Sequence, residues 1–176
     1  RLYEKAGLEM AEQNAKKLNN MIETTRGGQW TKVPQTVKDS PDFKANTKMV
    51  RQVSHSKWCT SGAMAETYLP RGDFWTDAEN GKPELAIRFD GERVAEIQGP
   101  ENNGQIPIQH APMVGELIES GKIQNISDHS LKEISYGMEN MKPPSWNDQA
   151  IWEFDGVEYS IKIDDLAGAV SPNPFE

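Results

Sequence analysis

The sequence predicts an α+β fold: a small antiparallel sheet with helices on one face and an N-terminal helical extension. Three observations carry this. Apolar residues recur at spacings of three and four near the N-terminus. They alternate with period two after residue 84 and again after residue 150. The alternating runs meet at Asp-Gly pairs, connections long enough for hairpins and too short for parallel crossovers.

Leu8, Ala11, Ala15, Leu18 and Ile22 form one narrow stripe, which predicts a single helix over residues 3–25, ending before Gly27-Gly28. The run TKVPQTVKD reads as a polar connection. Ser40 as N-cap and Pro41 at the first helical position open a second helix, with Phe43, Met49, Val50 and Val53 on its buried side. Thr60 or Ser61 caps a short helix carrying Ala63, Met64, Tyr68 and Leu69, and Pro70 and Gly72 stop it. Phe74–Thr76 reads as a strand and AENGK as a turn. Leu85, Ile87 and Phe89 then alternate up to Asp90-Gly91, and Val94–Ile97 returns. A two-residue loop sets Leu85 opposite Glu96; a three-residue loop sets it opposite Ile97.

Pro112 opens a helix that buries Val114, Leu117 and Ile118 and closes at Gly121. Ser127 or Asp128 caps another, containing Leu131 and Ile134. In the last hairpin Asp155-Gly156 is a two-residue turn, so Phe154 pairs with Val157, Trp152 with Tyr159, and Ile161 continues the same face. One sheet is expected to join residues 73–98 and 150–163. Residues 1–28 read as the N-terminal extension, 29–170 as a single α+β domain and 171–176 as a flexible tail.

A length of 176 residues with 36% apolar side chains suits one domain or two very small ones. A mean hydropathy of -0.73 predicts long loops, while fourteen aromatics call for a real core. No run approaches the roughly 20 apolar residues of a membrane span. Arg1 in place of Met points to a processed chain or a fragment. The net charge of -8 argues against a nucleic-acid partner, since such binding rests on neutralising phosphates. That charge is uneven, +3 over residues 1–50 and -5 over 151–176. Lys16, Lys17, Arg26, Lys32, Lys38, Lys44, Lys48 and Arg51 could touch an acidic partner, although a solvated helix face is the commoner meaning of such residues. A single cysteine excludes an intrachain disulfide and fits a reducing compartment.

Cys59 stands at the start of a predicted helix, where backbone N–H groups stabilise a thiolate. A cysteine hydrolase adds a histidine base and an orienting amide. His110 is the better base here, because His55 lies only four residues upstream and His129 falls in a helix cap; Asn102, Asn103 or Asp73 could orient it. The commoner role of a lone cysteine is a small core residue, and Cys59 is expected to pack beneath Trp58 and Tyr68. One cysteine and three scattered histidines give no metal-ligand spacing. Asp77-Ala-Glu-Asn-Gly81 is a turn rather than a calcium loop, since Arg88 occupies the position of the bidentate glutamate. No phosphate-cradling glycine motif calls for a cofactor.

The middle of the chain carries Trp58-Cys59, Tyr68-Leu69, Gly72, Ala86-Ile87-Arg88, Ala95-Glu96-Ile97-Gln98-Gly99, Asn102-Asn103 and Val114 with Leu117-Ile118. Over residues 55–120 this resembles the PcfJ-like group of proteins of conjugative plasmids, phages and other bacterial mobile elements. Trp58 stands where histidine is common in that group, and the asparagine is doubled. The resemblance implies a mobile-element setting, in the bacterial cytoplasm or a virion, and no defined chemistry. Cys59, Arg88, Asn102 and Asn103 could converge at one end of a small sheet, with Arg88 as an anion-binding fork. The plainer role for Arg88 is a strand-surface partner of Glu96. The expected function is a non-enzymatic binding or assembly module with a protein partner. Its rival is a cysteine-dependent hydrolase or transferase, such as a toxin or effector domain, using Cys59, His110 and Asn103.

Overall fold

The computed structural model describes residues 2–17, 20–24, 27–100, 106–123, 149–154 and 157–162. The first helix, α1 (Leu2–Lys17), ends well before residue 25. The chain then forms β1 (Met21–Glu23) and β2 (Gly28–Val33), paired antiparallel with Ile22 opposite Trp30. Ile22 continues the helical stripe in sequence but belongs to a strand. The carbonyl of Asn20 accepts the Lys32 N–H at 2.8 Å, so ladder bonds replace further helical turns. The first third of the run read as a polar connection, Thr31–Val33, is therefore strand, with Thr31 and Val33 buried.

The second helix, α2 (Phe43–Val53), follows the expected stripe and buries Met49, Val50 and Val53. Asp42 rather than Ser40 holds the N-cap position, and the Ser40 hydroxyl accepts the Asp42 N–H at 3.2 Å. A 3₁₀ turn at Cys59–Ser61 leads into α3 (Met64–Tyr68). Three long strands follow: β3 (Phe74–Glu79), β4 (Lys82–Asp90) and β5 (Arg93–Gln98). Asn80 and Gly81 join β3 to β4 with φ of 55° and 74°, the positive pair that a two-residue hairpin with the right twist requires. Neither expected register of the β4–β5 hairpin is adopted. Gly91-Glu92 makes the turn, and an irregularity after Arg88 sets Ile87 opposite Ile97 and Arg88 opposite Glu96.

The sheet has five antiparallel strands in the order β1-β2-β3-β4-β5. The helix α4 (Ala111–Glu119) comes next, with proline in its first turn as expected. Gly121 follows it with φ of 71°. The last hairpin, β6 (Gln149–Phe154) and β7 (Val157–Lys162), sets Trp152 opposite Tyr159 and Phe154 opposite Val157, the register read from sequence. It is a separate two-stranded sheet beside α4 rather than part of the main one, and it is β2 that pairs along the flank of β3. Its Asp155-Gly156 turn, the helix expected after Ser127 or Asp128 and the tail 171–176 lie outside the described residues.

The α+β class stands, but the helices cover both faces of the sheet rather than one. Trp30, Trp75, Leu85, Ile87 and Phe89 pack with Met113, Val114, Leu117 and Ile118 of α4. On the other face Val33, Phe74, Ala78 and Ala86 pack with Leu8 and Ala11 of α1, Met49, Val50 and Val53 of α2, and Trp58, Ala65 and Leu69. Continuous burial of Phe74–Ala78 and Leu85–Ile87 is the mark of strands covered on both sides. The boundary drawn at residue 28 falls within the β1–β2 hairpin, and Leu8 and Ala11 of the N-terminal helix α1 pack into the core beside α2.

Gly72 lets the loop before β3 cross the end of β4. A Cβ there would overlap the Phe89 carbonyl. Gly91 N–H donates to the Arg71 carbonyl at 2.7 Å, and Phe89 N–H to the Asp73 carbonyl at 2.9 Å. No described helix is long and apolar enough to cross a membrane.

Candidate ligand-binding site

Cys59 is exposed, which corrects the expectation that it packs beneath Trp58 and Tyr68. Local geometry supplies the reason. Trp58 turns inward, 3% exposed, with its indole N–H donating to the Gly99 carbonyl at 3.1 Å. The next residue, opening the 3₁₀ turn, then faces out. Cys59 borders a crevice of about 10 Å³ with Phe74, Arg88 and Glu96, room for one water and no substrate.

His110 is elsewhere. It occupies the N-cap position of α4, and its Nδ1 lies 2.8 Å from Glu79 Oε2. Glu79 ends β3, whereas the Cys59 crevice touches Phe74 at its start. Five residue steps along the strand separate them, about 16 Å at the usual rise. The proposed Cys59–His110 pairing is thus not assembled. Asn102 and Asn103 lie outside the described residues.

Arg88 holds the ladder position expected for a partner of Glu96, but its side chain is only 12% exposed. It faces Glu96 across the β4–β5 ladder, with Nη2 and Oε2 4.0 Å apart, and its guanidinium stacks over the Tyr68 ring at 4.0 Å. Its Nε and Nη1 are buried without a hydrogen-bond partner among the described residues.

The structure brings together a cluster that the sequence reading dismissed as a turn. Asp77, Glu79 and His110 line up where β3 meets the start of α4. Asp77 is 0% exposed and neither carboxyl oxygen has a well-formed hydrogen bond among the described residues. Burial pushes its pKa up to about 9; Glu79, close enough to share the proton, pushes the same way. Burial would raise Glu79 too, but the hydrogen bond with His110 and the protonated Asp77 carboxyl beside it outweigh burial and hold Glu79 below its usual range. Gly28 leaves the space this needs: a Cβ there would sit 2.7 Å from Asp77 Oδ1 and 2.8 Å from Met113 Sδ. The period-two spacing of Asp77 and Glu79 after Trp75 was the available signal. The cluster ties α4 to the sheet, beside the 2.7 Å hydrogen bond from the Trp30 indole to the Met113 carbonyl. Among the described residues no group of three carboxylate, histidine or cysteine side chains is placed to hold a metal ion.

A cavity of about 560 Å³ opens on the α1–α2 side of the sheet. Glu4, Lys5, Gly7 and Leu8 of α1 form one wall, and Lys48, Arg51 and Gln52 of α2 the second. The β3–β4 turn, Asn80 to Pro83, closes it with Ser54, His55, Ser56 and Ser61. Several of these groups are already fixed. Ser54 Oγ donates to the Val50 carbonyl at 2.7 Å, and Ser61 Oγ to the Trp58 carbonyl at 2.7 Å. His55 Nδ1 accepts the Lys57 N–H at 3.0 Å, which leaves Nε2 to carry the proton of the neutral ring. Lys48 and Arg51 belong to the basic group noted in the sequence; Lys5 and Lys82 join them only through folding.

No family model, curated protein or solved structure matches the chain.

Proposed function

We propose that the chain is a non-enzymatic binding module whose ligand enters the cavity between α1, α2 and the β3–β4 turn. The cavity itself carries this reading. Its volume of about 560 Å³ falls within the roughly 300–1,000 Å³ of ligand pockets. Its walls come from three distant parts of the chain. The Ser54 and Ser61 hydroxyls donate to backbone carbonyls, so neither is activated by His55. A phage or conjugative setting, in the bacterial cytoplasm or a virion, and a protein partner rest on the resemblance of residues 55–120. Amide chemical shifts recorded during a screen of small fragments test the proposal. Hits should shift Lys5, Gln52, His55 and Lys82 together; hits that shift only residues elsewhere would overturn it.

A second reading, a cysteine-dependent hydrolase or transferase, is favoured by the exposed thiol of Cys59. It needs a base other than His110, whose Nδ1 is engaged by Glu79. An activity lost in Cys59→Ser and kept in His110→Gln would support it.

A further inference from the structure

We infer that the ligand of this cavity is a small phosphate-bearing anion held by the ammonium groups of Lys5, Lys48 and Lys82, an inference that rests on the cavity reading above. The whole chain carries -8. This cavity nevertheless gathers Lys5, Lys48, Arg51 and Lys82 against one wall carboxylate, Glu4. Like charges drawn into one concave site repel one another, and such a site concentrates field on whatever anion enters it.

The four cations are not equivalent. Arg51 is engaged, with Nη2 2.6 Å from Glu66 Oε1 and Nε donating to the Gly62 carbonyl at 3.3 Å. Lys5, Lys48 and Lys82 have no ion pair or side-chain hydrogen bond among the described residues. The cations left for a ligand are therefore point charges on flexible stems, arriving from α1, α2 and β4. A planar carboxylate is matched best by an arginine fork, and here that fork is taken. Ammonium groups approaching from three sides suit the several oxygens of a phosphate.

Size and reach exclude the extremes. A cavity of about 560 Å³ is larger than inorganic phosphate needs and suits a phosphorylated organic molecule of nucleotide size. Charge is screened over about 8 Å at physiological salt. Beyond the cavity an anionic polymer would meet an acidic protein, so a nucleic-acid strand gains little from these lysines.

Calorimetry on the full chain, with inorganic pyrophosphate and adenosine monophosphate as probes at low and moderate salt, tests this. Both should bind, adenosine monophosphate the tighter. Each of Lys5→Gln, Lys48→Gln and Lys82→Gln should weaken binding about tenfold while leaving the urea midpoint in place. Lys82→Glu, on an exposed turn, should abolish it. Unchanged binding in the lysine variants, or a 20-nucleotide DNA strand binding tighter than pyrophosphate, would overturn the inference. Adenosine, which lacks phosphate, separates the two levels of the proposal. If adenosine shifts the amides of Lys5, Gln52 and Lys82 while pyrophosphate gives no heat, the phosphate inference falls and the cavity reading stands. If neither adenosine, adenosine monophosphate nor pyrophosphate perturbs those amides, both fall.

Discussion

Replacing Asp77 by asparagine keeps the shape of a fully buried side chain and removes its ionisation. The wild-type carboxyl has a native pKa of about 9 against 3.8 for the ordinary group. Between those values the native state holds a proton that the unfolded state has released. Stability is therefore highest at low pH on this account and falls as pH rises toward 9. The slope is at most about 1.4 kcal/mol per pH unit, which over pH 5 to 8 amounts to as much as about 4 kcal/mol. Sharing of the proton with Glu79 makes this an upper bound. Glu79 itself moves the other way. Its lowered pKa gives stability that is present above the ordinary 4.5 and lost as pH falls below it, outside the window considered. Asp77→Asn should consequently match wild type only below the ordinary carboxyl value of 3.8 and exceed it increasingly from there toward pH 8, by up to about 1.6 kcal/mol already at pH 5. Urea unfolding followed by tryptophan fluorescence at unit pH steps measures this. A wild-type stability that holds level or rises from pH 5 to 8 would refute the reasoning, as would an asparagine variant that keeps the wild-type slope.

Four further outcomes are expected. Trp30→Phe removes the indole N–H that satisfies the buried Met113 carbonyl, and should cost about 1–3 kcal/mol in the same urea assay. Gly72→Ala drives a methyl into the Phe89 carbonyl; it should cost on the order of 3 kcal/mol or leave the chain insoluble. Cys59 is exposed, so it should react with iodoacetamide in the native protein within minutes, and Cys59→Ser should change stability by less than about 0.5 kcal/mol. Leu8→Ala should cost about 2–4 kcal/mol, because Leu8 is 3% exposed within the core beneath α2; a near-neutral result would return α1 to the status of a detachable extension.

Periodicity carried the sequence reading wherever one element met one neighbour. The α2 stripe, the proline opening of α4 and the register of the last hairpin each depend on residues a few positions apart, and each stands in the structure. The reading failed where two periodicities competed. Ile22 extends a helical row, yet the chain folds back at Gly27-Gly28 and Ile22 pairs with Trp30. The same failure hid β2, whose buried Trp30, Thr31 and Val33 break strict alternation because both faces of the sheet are covered. A one-sided sheet would have alternated cleanly, and the helices would then have belonged on one face.

The site was less legible, and for a different physical reason. Cys59 and His110 drew notice as the usual instruments of catalysis, but residue type says nothing about distance. β3 holds their neighbourhoods at opposite ends of one strand. Two of the cavity's cations, Lys48 and Arg51, lie three residues apart on α2 and do look like an ordinary solvated helix face. What changes their meaning is Lys5 from one flank and Lys82 from a turn that only the Asn80-Gly81 backbone can make. Asp77 makes the same point inside the protein. In sequence it begins an acidic, turn-like run; in the fold it is fully buried beside Gly28, and burial raises its pKa to about 9. A carboxyl group in that position is neutral because it is buried, and it is tolerated because Gly28 leaves the space and Glu79 shares the proton. Charge counted along the chain therefore overstates the acidity of the interior seam and hides the basicity of the cavity.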